Sequence, residues 1–422
     1  LIASRFLGMD FTVAVYVGLA GILLCSMLGG MRAVTWTQIA QYIVLIIAYL
    51  TPIVILSTKK YGIPIPELTY GQAIADITAR EQQMLQTGLA TAAGLKPHIQ
   101  PFINYTPLNY FGIILCMMVG TASLPHILMR YFTTPSVKAA RSSVAWSLFF
   151  ITLLYFTAPA LATFSKLQVL DPNLATSIIG KSIAQVNALE WIQKWSQVGM
   201  LKVIDSNGDG ILQVNEFFMR ADIVVLATPE IAGLPYVISG LVAAGGMAAA
   251  MSTADGLLLA IANALSHDLY YKVIDPKAET RRRLIVARVM LIVIGAAGAF
   301  VASMKLTGIL GAVAWAFCFA MSGLFFPLVL GVWWKRANRP GAIAGMAVGL
   351  AVGSWYLYMV RFVGMEPWIG LDHLRFGVVG ALASLIAMVV VSLMTAAPDE
   401  ETQRMVDEIR VPRGETVLGA RH

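Results

Sequence analysis

The sequence is poor in charged side chains. They make up 13% of its 422 residues, against about 25% in an ordinary soluble domain. Hydrophobic residues, in contrast, make up 58%. This balance argues against a soluble domain and favours a membrane protein.

The apolar residues form nine runs of about 20 residues or more, the length that crosses roughly 30 Å of hydrocarbon. Both faces of these runs are apolar, which disfavours soluble amphipathic helices. Lipid permits only helices or closed barrels, and the runs are too long for barrel strands. The sequence therefore predicts an all-α polytopic membrane protein, with transmembrane helices near 10–28, 38–57, 108–128, 144–165, 233–266, 284–303, 308–333, 341–361 and 376–396.

Cysteines and catalytic motifs are also scarce. Cys25, Cys116 and Cys318 all fall inside predicted spans, which favours apolar packing over disulfides or metal ligands. The sequence shows no nucleophile–base pair, no phosphate-binding loop and no metalloprotease motif. We therefore do not expect an enzyme.

The formal net charge of +7 could suggest a nucleic-acid partner, but the positions of the positive residues argue otherwise. Lys305, Arg361 and Arg375 are the only basic residues in one set of short loops. The other set carries twelve and is therefore assigned to the cytoplasm by the positive-inside rule. These twelve are Arg32, Arg130, Lys138, Arg141, Lys272, Lys277, Arg281, Arg282, Arg283, Lys335, Arg336 and Arg339.

This orientation places two long polar segments, 58–107 and 166–232, outside the membrane and the tail 397–422 in the cytoplasm. We expect a multi-pass protein of a cell membrane, with the bacterial inner membrane favoured. The bilayer is the expected partner, with no obligate protein partner. The first span begins almost at the first residue, with no signal-like segment before it, so we expect further helices upstream.

A short stretch of the second polar segment has the spacing of an EF-hand calcium loop. In "DSNGDGILQVNE", oxygen-bearing side chains stand at positions 1, 3, 5, 9 and 12, a backbone carbonyl at position 7, and Gly210 at the sharp turn. The predicted ligands are Asp205, Asn207, Asp209, Ile211, Gln213 and Glu216. The apolar residues on either side fit flanking helices. Because the loop is unpaired, we predict a structural calcium ion that orders the outer segment rather than a sensor.

Four segments resemble a known family, and they occur in order along the chain. They are "GGMRAVTWTQIAQ" (29–41), "GTASLPHILMRYFTTPSVKAARSS" (120–143), "AAAMSTADGLLLAIANALSHDLY" (248–270) and "GVWWKRANRPGAIAGMAVG" (331–349). Together they resemble the sodium:solute symporter family, most closely its acetate and monocarboxylate permease branch. The calcium-like insert and the absent N-terminal helices depart from the family pattern.

The resemblance implies a leucine-transporter-type fold, in which two repeats of five helices have inverted topology. The last two helices of the first repeat would occupy 1–57, and 58–107 would be an extracytoplasmic loop. The second repeat would occupy 108–333, with 166–232 as an insert. Two C-terminal helices would follow over 334–396, before the tail.

The same resemblance places a sodium site at Ser252 and Thr253, with the backbone carbonyl of Ala249. Residues four apart on a helix share one face, so the carbonyl and the Thr253 hydroxyl can meet. Hydroxyls and carbonyls supply oxygen ligands without placing a full charge in lipid. The alternative is that this Ser–Thr pair only bonds its own helix backbone.

Asp255 is the only carboxylate well inside a span, and such residues are functional candidates by default. The family often has an acid after "WT" in the sixth helix, where this chain has Gln38. We predict that Asp255 instead supplies negative charge along the cytoplasmic exit path of sodium. The alternative is a neutral or cavity-facing Asp without a role in transport.

The segment "GTASLPHILMR" contains small residues and Pro125, which favour a broken helix with freed backbone groups. We predict that an anionic substrate contacts the amides of Gly120, Thr121 and Ala122. His126 and Arg130 are also candidate partners of the anion. The alternatives are a hydrogen bond from His126 to a freed carbonyl and a role for Arg130 as an interfacial anchor. The small residues can also serve close helix packing.

We therefore predict a sodium-coupled symporter that imports a small organic solute, with a monocarboxylate such as acetate as the expected substrate. One rival is a calcium-responsive membrane sensor on a transporter-like scaffold, but no signalling domain follows the last span. Another is a non-transporting fragment of a symporter. The coupling ion would be Na⁺, and Ca²⁺ would be structural.

Overall fold

The computed structural model describes residues 1–174 and 176–410, apart from the side chains of 28–33 and 132–133. The chain is mainly helical. Its helices are α1 (Ile2–Leu7), α2 (Phe11–Tyr61), α3 (Pro66–Gln86), α4 (Pro107–Ser123), α5 (Pro125–Leu128), α6 (Val137–Leu170), α7 (Ile183–Asn187), α8 (Glu190–Gln197), α9 (Val224–Ile231), α10 (Tyr236–Asn263), α11 (Thr280–Ser303), α12 (Ile309–Ala320), α13 (Phe326–Trp333), α14 (Arg339–Tyr358), α15 (Phe376–Met394) and α16 (Glu400–Glu408). Two short antiparallel strands, β1 (Leu201–Val203) and β2 (Phe217–Met219), form a hairpin.

Several helices continue with a different helical pitch. A π-helix over Ala264–Ile274 extends α10, another over Met321–Phe325 joins α12 to α13, and a third over Met359–Val363 extends α14. Short 3₁₀ turns lie at Met129–Thr133, Val214–Glu216, Ala221–Ile223 and Trp368–Gly370.

Within the described residues, seven helices are long and apolar enough to cross a membrane, and the bent pair Pro107–Ser123 and Pro125–Tyr131 gives an eighth. The predicted class is confirmed, but the predicted count of nine is slightly too high. The difference arises at the first two predicted spans, 10–28 and 38–57, because both fall within the single helix α2. Within α2, Val34–Tyr61 qualifies as a span, whereas Phe11–Met27 is a shorter apolar segment.

The chain divides into two compact units. Unit 1 consists of Leu1–Pro101 and Trp146–Leu306, and unit 2 of Phe102–Ala145 and the chain from Thr307 onward. In unit 1 the polar segments 62–101 and 171–235, which we call the cap, share a hydrophobic core with the ends of α2 and α6. Ala73, Ile77 and Met84 of α3 are fully buried in this core. Their spacing places them on one face of the helix.

Ion pairs join the cap to its neighbouring helices. Lys166 pairs with Glu81 at 2.5 Å, and Lys60 with Asp171 at 2.6 Å. Burial disfavours the charge on Asp171, but the Lys60 ammonium and the Asn173 N–H outweigh it, so the pKa of Asp171 lies below its usual value. The first pair fixes α3 against the end of α6, and the second joins the end of α2 to the residue that follows α6.

A second anchor of the cap is the carboxylate of Glu230 on α9. It accepts hydrogen bonds from Arg5 Nη2 and from Trp195 Nε1, both at 2.6 Å. The Arg5 guanidinium lies 5.3 Å from the Trp195 ring centroid. Burial raises the pKa of Glu230 above its usual value although Arg5 opposes it. Helix α9, which leads directly into α10, is thereby tied to α1 and α8.

In unit 2, α14 and α15 pack closely because small residues line their contact. Gly341, Gly345, Gly349 and Gly353 recur every fourth residue along α14. A Cβ on Gly345 would stand 2.9 Å from Met388 Cβ, so only glycine permits this approach. Cys25, Cys116 and Cys318 are free thiols, and the last two are buried.

Candidate functional site

The polar centre of unit 1 is one turn of α10. This helix is rich in alanine, glycine and leucine, and its polar residues cluster around 252–255, apart from Ser239 and Asn263 near its ends. The hydroxyl of Thr253 donates to the Ala249 carbonyl at 3.3 Å. The Ser252 carbonyl accepts a hydrogen bond of 2.6 Å from Gln38 Nε2 on α2. The turn therefore gathers a carbonyl and two hydroxyl side chains on neighbouring positions of one helix.

This oxygen set suits a monovalent cation. Thr253 is exposed and Ser252 partly exposed in unit 1, so both hydroxyls can turn toward an ion. The Thr253 bond to its own helix is long, and exchanging it for an ion contact would cost little. Ala249 and Thr253 are joined by this hydrogen bond, and the assignment of Ala249, Ser252 and Thr253 as sodium ligands stays a prediction. The ion itself stays a prediction.

Asp255 is fully buried one turn further along α10. Its Oδ1 accepts a hydrogen bond from Ser26 Oγ on α2 at 2.8 Å, and its Oδ2 has no hydrogen-bond partner among the described residues. An ionised carboxylate with a single hydroxyl partner is costly inside a membrane. The surroundings of Asp255 therefore favour a carboxyl group that is neutralised by a passing cation or a bound proton over one that is permanently ionised.

In unit 2, the break between α4 and α5 falls at Leu124, where the helices bend by 47°. Gly120, Thr121 and Ala122 lie inside the last turns of α4, so their N–H groups point back into that helix. A Cβ on Gly120 would collide with the Phe317 backbone, whereas Thr121 and Ala122 are exposed. At the end of α4 the break frees carbonyls, whereas freed N–H groups belong to the start of α5. The predicted contact of an anion with the amides of these three residues therefore has no support in this geometry.

His126 and Arg130 follow the break. Nδ1 of His126 is buried and lacks a hydrogen-bond partner within the described chain. The predicted bond from His126 to a freed carbonyl is therefore not made through this atom. Arg130 lies in a 3₁₀ turn after α5 and is partly buried.

The loop 205–216 is folded by its own acidic side chains. Asp205 accepts hydrogen bonds from the N–H groups of Gly208 and Gly210, at 2.8 and 3.2 Å. Asp209 accepts from Ile211 N at 2.7 Å and from the Asn207 and Gln213 amides. The hydrogen bond from the Ile211 N–H, more than any other contact, holds the pKa of Asp209 below its usual value.

Glu216 closes the loop. It is fully buried, and its two carboxylate oxygens accept hydrogen bonds from Ser206 N at 2.8 Å and Gln213 N at 3.0 Å. Within the described part of the chain, no three acidic, histidine or cysteine side chains converge as a metal-binding group. Calcium would have to displace the N–H groups from Glu216, so calcium binding stays a prediction.

The elements that flank the loop differ from the sequence-based expectation. β1 and β2 lie on either side of it, so the prediction of flanking helices is wrong. The apolar residues there belong to short strands, β1 with Lys202 at its centre and β2 apolar throughout, instead of marking a helical face. Ser182 pairs with Ile211 in an antiparallel bridge, and Val214 N donates to Leu89 O at 3.0 Å. These bonds tie the loop into the cap.

Comparison with known proteins identifies the family. The sodium:solute symporter family model matches residues 1–189 and 222–349. The chain belongs to this family. An uncharacterised symporter of Cupriavidus necator is 36% identical, with 97% of this chain and 73% of the relative covered. A monocarboxylic acid transporter of Corynebacterium glutamicum is 27% identical, with 80% of this chain and 54% of that protein covered.

A solved structure supports the fold of this symporter-family chain. It is the substrate-bound, outward-open state of a Na⁺-coupled sialic acid symporter, for which a novel Na⁺ site is described. It matches with a TM-score of 0.58 and 17% identity, over 94% of this chain and 69% of that one. The leucine-transporter-type fold implied by the sequence resemblance is thereby confirmed.

Two polar contacts of this symporter were missed by the sequence reasoning. Ser26 is an ordinary serine in an apolar run, and nothing in its neighbourhood marks it as the partner of Asp255. The sequence marks Gln38 only as the residue that stands where the family often has an acid. It does not indicate the hydrogen bond that Gln38 donates to the Ser252 carbonyl. Polar residues that lie opposite each other on two adjacent spans would indicate such a contact. A single sequence, however, does not show which spans are adjacent.

Proposed function

We propose that this protein imports a small monocarboxylate together with sodium across a cell membrane. The polar turn of α10 carries the proposal, because Ala249, Ser252 and Thr253 bring oxygen ligands together in an otherwise apolar span. Membership of the sodium:solute symporter family supports the coupling to sodium. The similarity to a monocarboxylic acid transporter supports the substrate class.

In the proposed mechanism, the Ala249 carbonyl and the hydroxyls of Ser252 and Thr253 ligate the ion. Neutral ligands suit a site that must release its ion again, because an empty site then leaves no net charge in lipid. Gln38 holds the Ser252 carbonyl by its hydrogen bond of 2.6 Å and thereby fixes the position of the turn.

Asp255 is proposed to attract the ion as it leaves. It lies one turn beyond Ser252, with one oxygen held by Ser26 and the other without a hydrogen-bond partner in the described part of the chain. A cation that passes this oxygen would neutralise the carboxylate for the time of passage. Thr121 and Ala122, exposed at the break of α4, remain candidates for the substrate path.

The loop 205–216 is proposed to hold a structural calcium ion outside the membrane. The oxygen-bearing side chains at the EF-hand spacing support this, together with the αL conformations of Gly208 and Gly210 that let the loop turn sharply. We expect an affinity of about 10⁻⁴ to 10⁻³ M, as in extracellular EF-hand modules.

Uptake into membrane vesicles tests the proposal. We expect labelled acetate and pyruvate to accumulate in vesicles that contain the full chain when an inward sodium gradient is imposed, and labelled proline not to accumulate. The control is the same vesicles with potassium in place of sodium. Equal acetate uptake in both salts would contradict sodium coupling, and uptake of proline alone would contradict the substrate class.

A further inference from the structure

Unit 1 contains a cavity of about 370 Å³ that the mechanism above does not use. It lies between α2, α6, α9 and α10, is open to the surroundings beside the exposed Tyr155, and has an almost entirely apolar lining. Ala48, Ala158 and Val242 contribute aliphatic surface from three different helices. Tyr49 and Tyr155 supply the only hydroxyl groups among its lining residues. A cavity of this volume lies within the range of small-molecule sites.

One end of the cavity reaches the polar turn of α10. The α10 residues along its wall run from Val242 to Ala249, a distance of about 10.5 Å at 1.5 Å per residue. Ala249 is also the residue whose carbonyl is a proposed sodium ligand, and Thr253 follows one turn later. The apolar lining therefore ends at Ala249, one helical turn before Thr253.

Two glycines keep this space open along α10. A Cβ on Gly246 would stand 2.7 Å from Ile2 Cδ1 and 3.1 Å from Leu226 Cδ2, and one on Gly245 would collide with Ala48. Side chains at these positions would push the lining helices apart or fill the cavity. At these two glycines α10 packs closely against α1, α2 and α9, and this close packing forms the part of the cavity wall next to the polar turn.

We propose that this cavity holds the hydrocarbon part of the substrate, whose carboxylate faces the sodium ion at Ala249, Ser252 and Thr253. The preferred substrates are then monocarboxylates with an apolar chain of several carbons, rather than acetate alone. This inference rests on the proposed function. A carboxylate at the polar end pairs with the ion, and an alkyl or aryl chain fits the apolar length. A lipid acyl chain, the alternative occupant, gains nothing from a cation at that end.

The first experiment is a competition series. Acetate, butanoate, hexanoate and phenylacetate are added unlabelled to vesicles that contain the full chain and take up labelled acetate under a sodium gradient. Burial of one methylene contributes about 0.8 kcal/mol, which is roughly four-fold in affinity. We expect half-inhibition at concentrations at least tenfold lower for hexanoate than for acetate. Equal potency of all four acids would overturn the proposal.

The second experiment changes the cavity. Ala158→Leu fills space inside it, so hexanoate should lose its advantage over acetate by tenfold or more. The matched control is Ala162→Leu, one turn further along the same helix, exposed and outside the cavity, which should keep the ratio of the parent protein. If both variants keep that ratio, the cavity does not hold the substrate.

A third variant covers the case in which Ala158→Leu does not fold. Val242→Ala enlarges the apolar end, so the preference should move toward longer chains, and an unchanged ratio would count against the proposal. A purified protein that retains phospholipid, together with a flat competition series, would assign the cavity to lipid. Sodium-driven acetate uptake with a flat series overturns the cavity assignment alone, whereas absence of sodium-driven uptake overturns the proposed function as well.

Discussion

The polar turn of α10 and the loop 205–216 are both candidate cation sites, but they are built from different chemistry. The turn offers a carbonyl and two hydroxyls inside an apolar helix. The loop offers three carboxylates, and N–H groups of the loop itself already satisfy them. An uncompensated carboxylate is too costly in lipid. Outside the membrane, backbone amides and water compensate its charge. The surroundings thus decide which oxygen ligands a site can use.

The largest effect that tests this comparison is expected at the turn. Replacing Ser252 and Thr253 together with Ala removes both hydroxyl ligands, so the sodium concentration for half-maximal uptake should rise at least tenfold. Sodium titration of uptake measures this. The control is Thr51→Ala, which removes a hydroxyl bonded only to the Ile47 carbonyl of its own helix. An unchanged sodium dependence in a well-expressed double variant would contradict the assignment.

A smaller effect, several-fold in rate, is expected at Asp255. Asp255→Asn keeps a side chain that Ser26 can bond but removes the negative charge, so turnover should slow more than the half-saturating sodium concentration changes. Initial uptake rates across a sodium series separate the two. Ser26→Ala, which leaves the carboxylate in place, serves as the comparison. If Asp255→Asn transports at the parent rate, the carboxylate has no part in ion release.

In the loop, the expected effect is on stability rather than transport. Calcium at a hundredfold excess over Kd should stabilise the folded loop by roughly 2.7 kcal/mol. Added protease should then cut the cap more slowly with calcium than with chelator. Asp205→Ala or Glu216→Gln should abolish this difference, while uptake changes little.

Glu190→Gln is the matched control for the loop variants, since Glu190 is exposed and pairs only with Lys194 on its own helix. It should keep the protection by calcium. Equal cleavage of the parent protein in calcium and in chelator would mean that the loop resembles a calcium site by chance.

The smallest effect concerns the charges that hold the cap. The pKa of Asp171 is depressed in the folded protein, so its contribution is present above the unfolded value near 4 and is lost as the pH falls through the folded value. Asp171→Asn should remove about 1 kcal/mol. Protease resistance of the cap between pH 3 and pH 7 reports this. Protease resistance of the Asp171→Asn variant should depend less on pH than that of the parent protein. The same pH dependence in both would rule out this ion pair as the cause of the loss of resistance at low pH.

The sequence predicted most of the membrane helices because long apolar runs have few alternatives in lipid. It predicted the polar turn because Ser252, Thr253 and Asp255 interrupt an apolar run and resemble a family motif. Ser26 could not be predicted as a partner of Asp255, because the contact joins residues 229 positions apart. The strands around 205–216 were mistaken for helices because three-residue apolar stretches fit either period.

The hairpin of β1 and β2 has a consequence for how this chain acquired its loop. The family match is interrupted between 189 and 222, and the hairpin falls within that gap. Because the strands pair with Leu201 opposite Met219 and Val203 opposite Phe217, the chain leaves the insertion close to where it entered. Such a module can be gained, lost or exchanged between relatives with little movement of the helices on either side. The exposed tip at Gly208 is accordingly the place where a reporter peptide could be grafted without disturbing the transport helices.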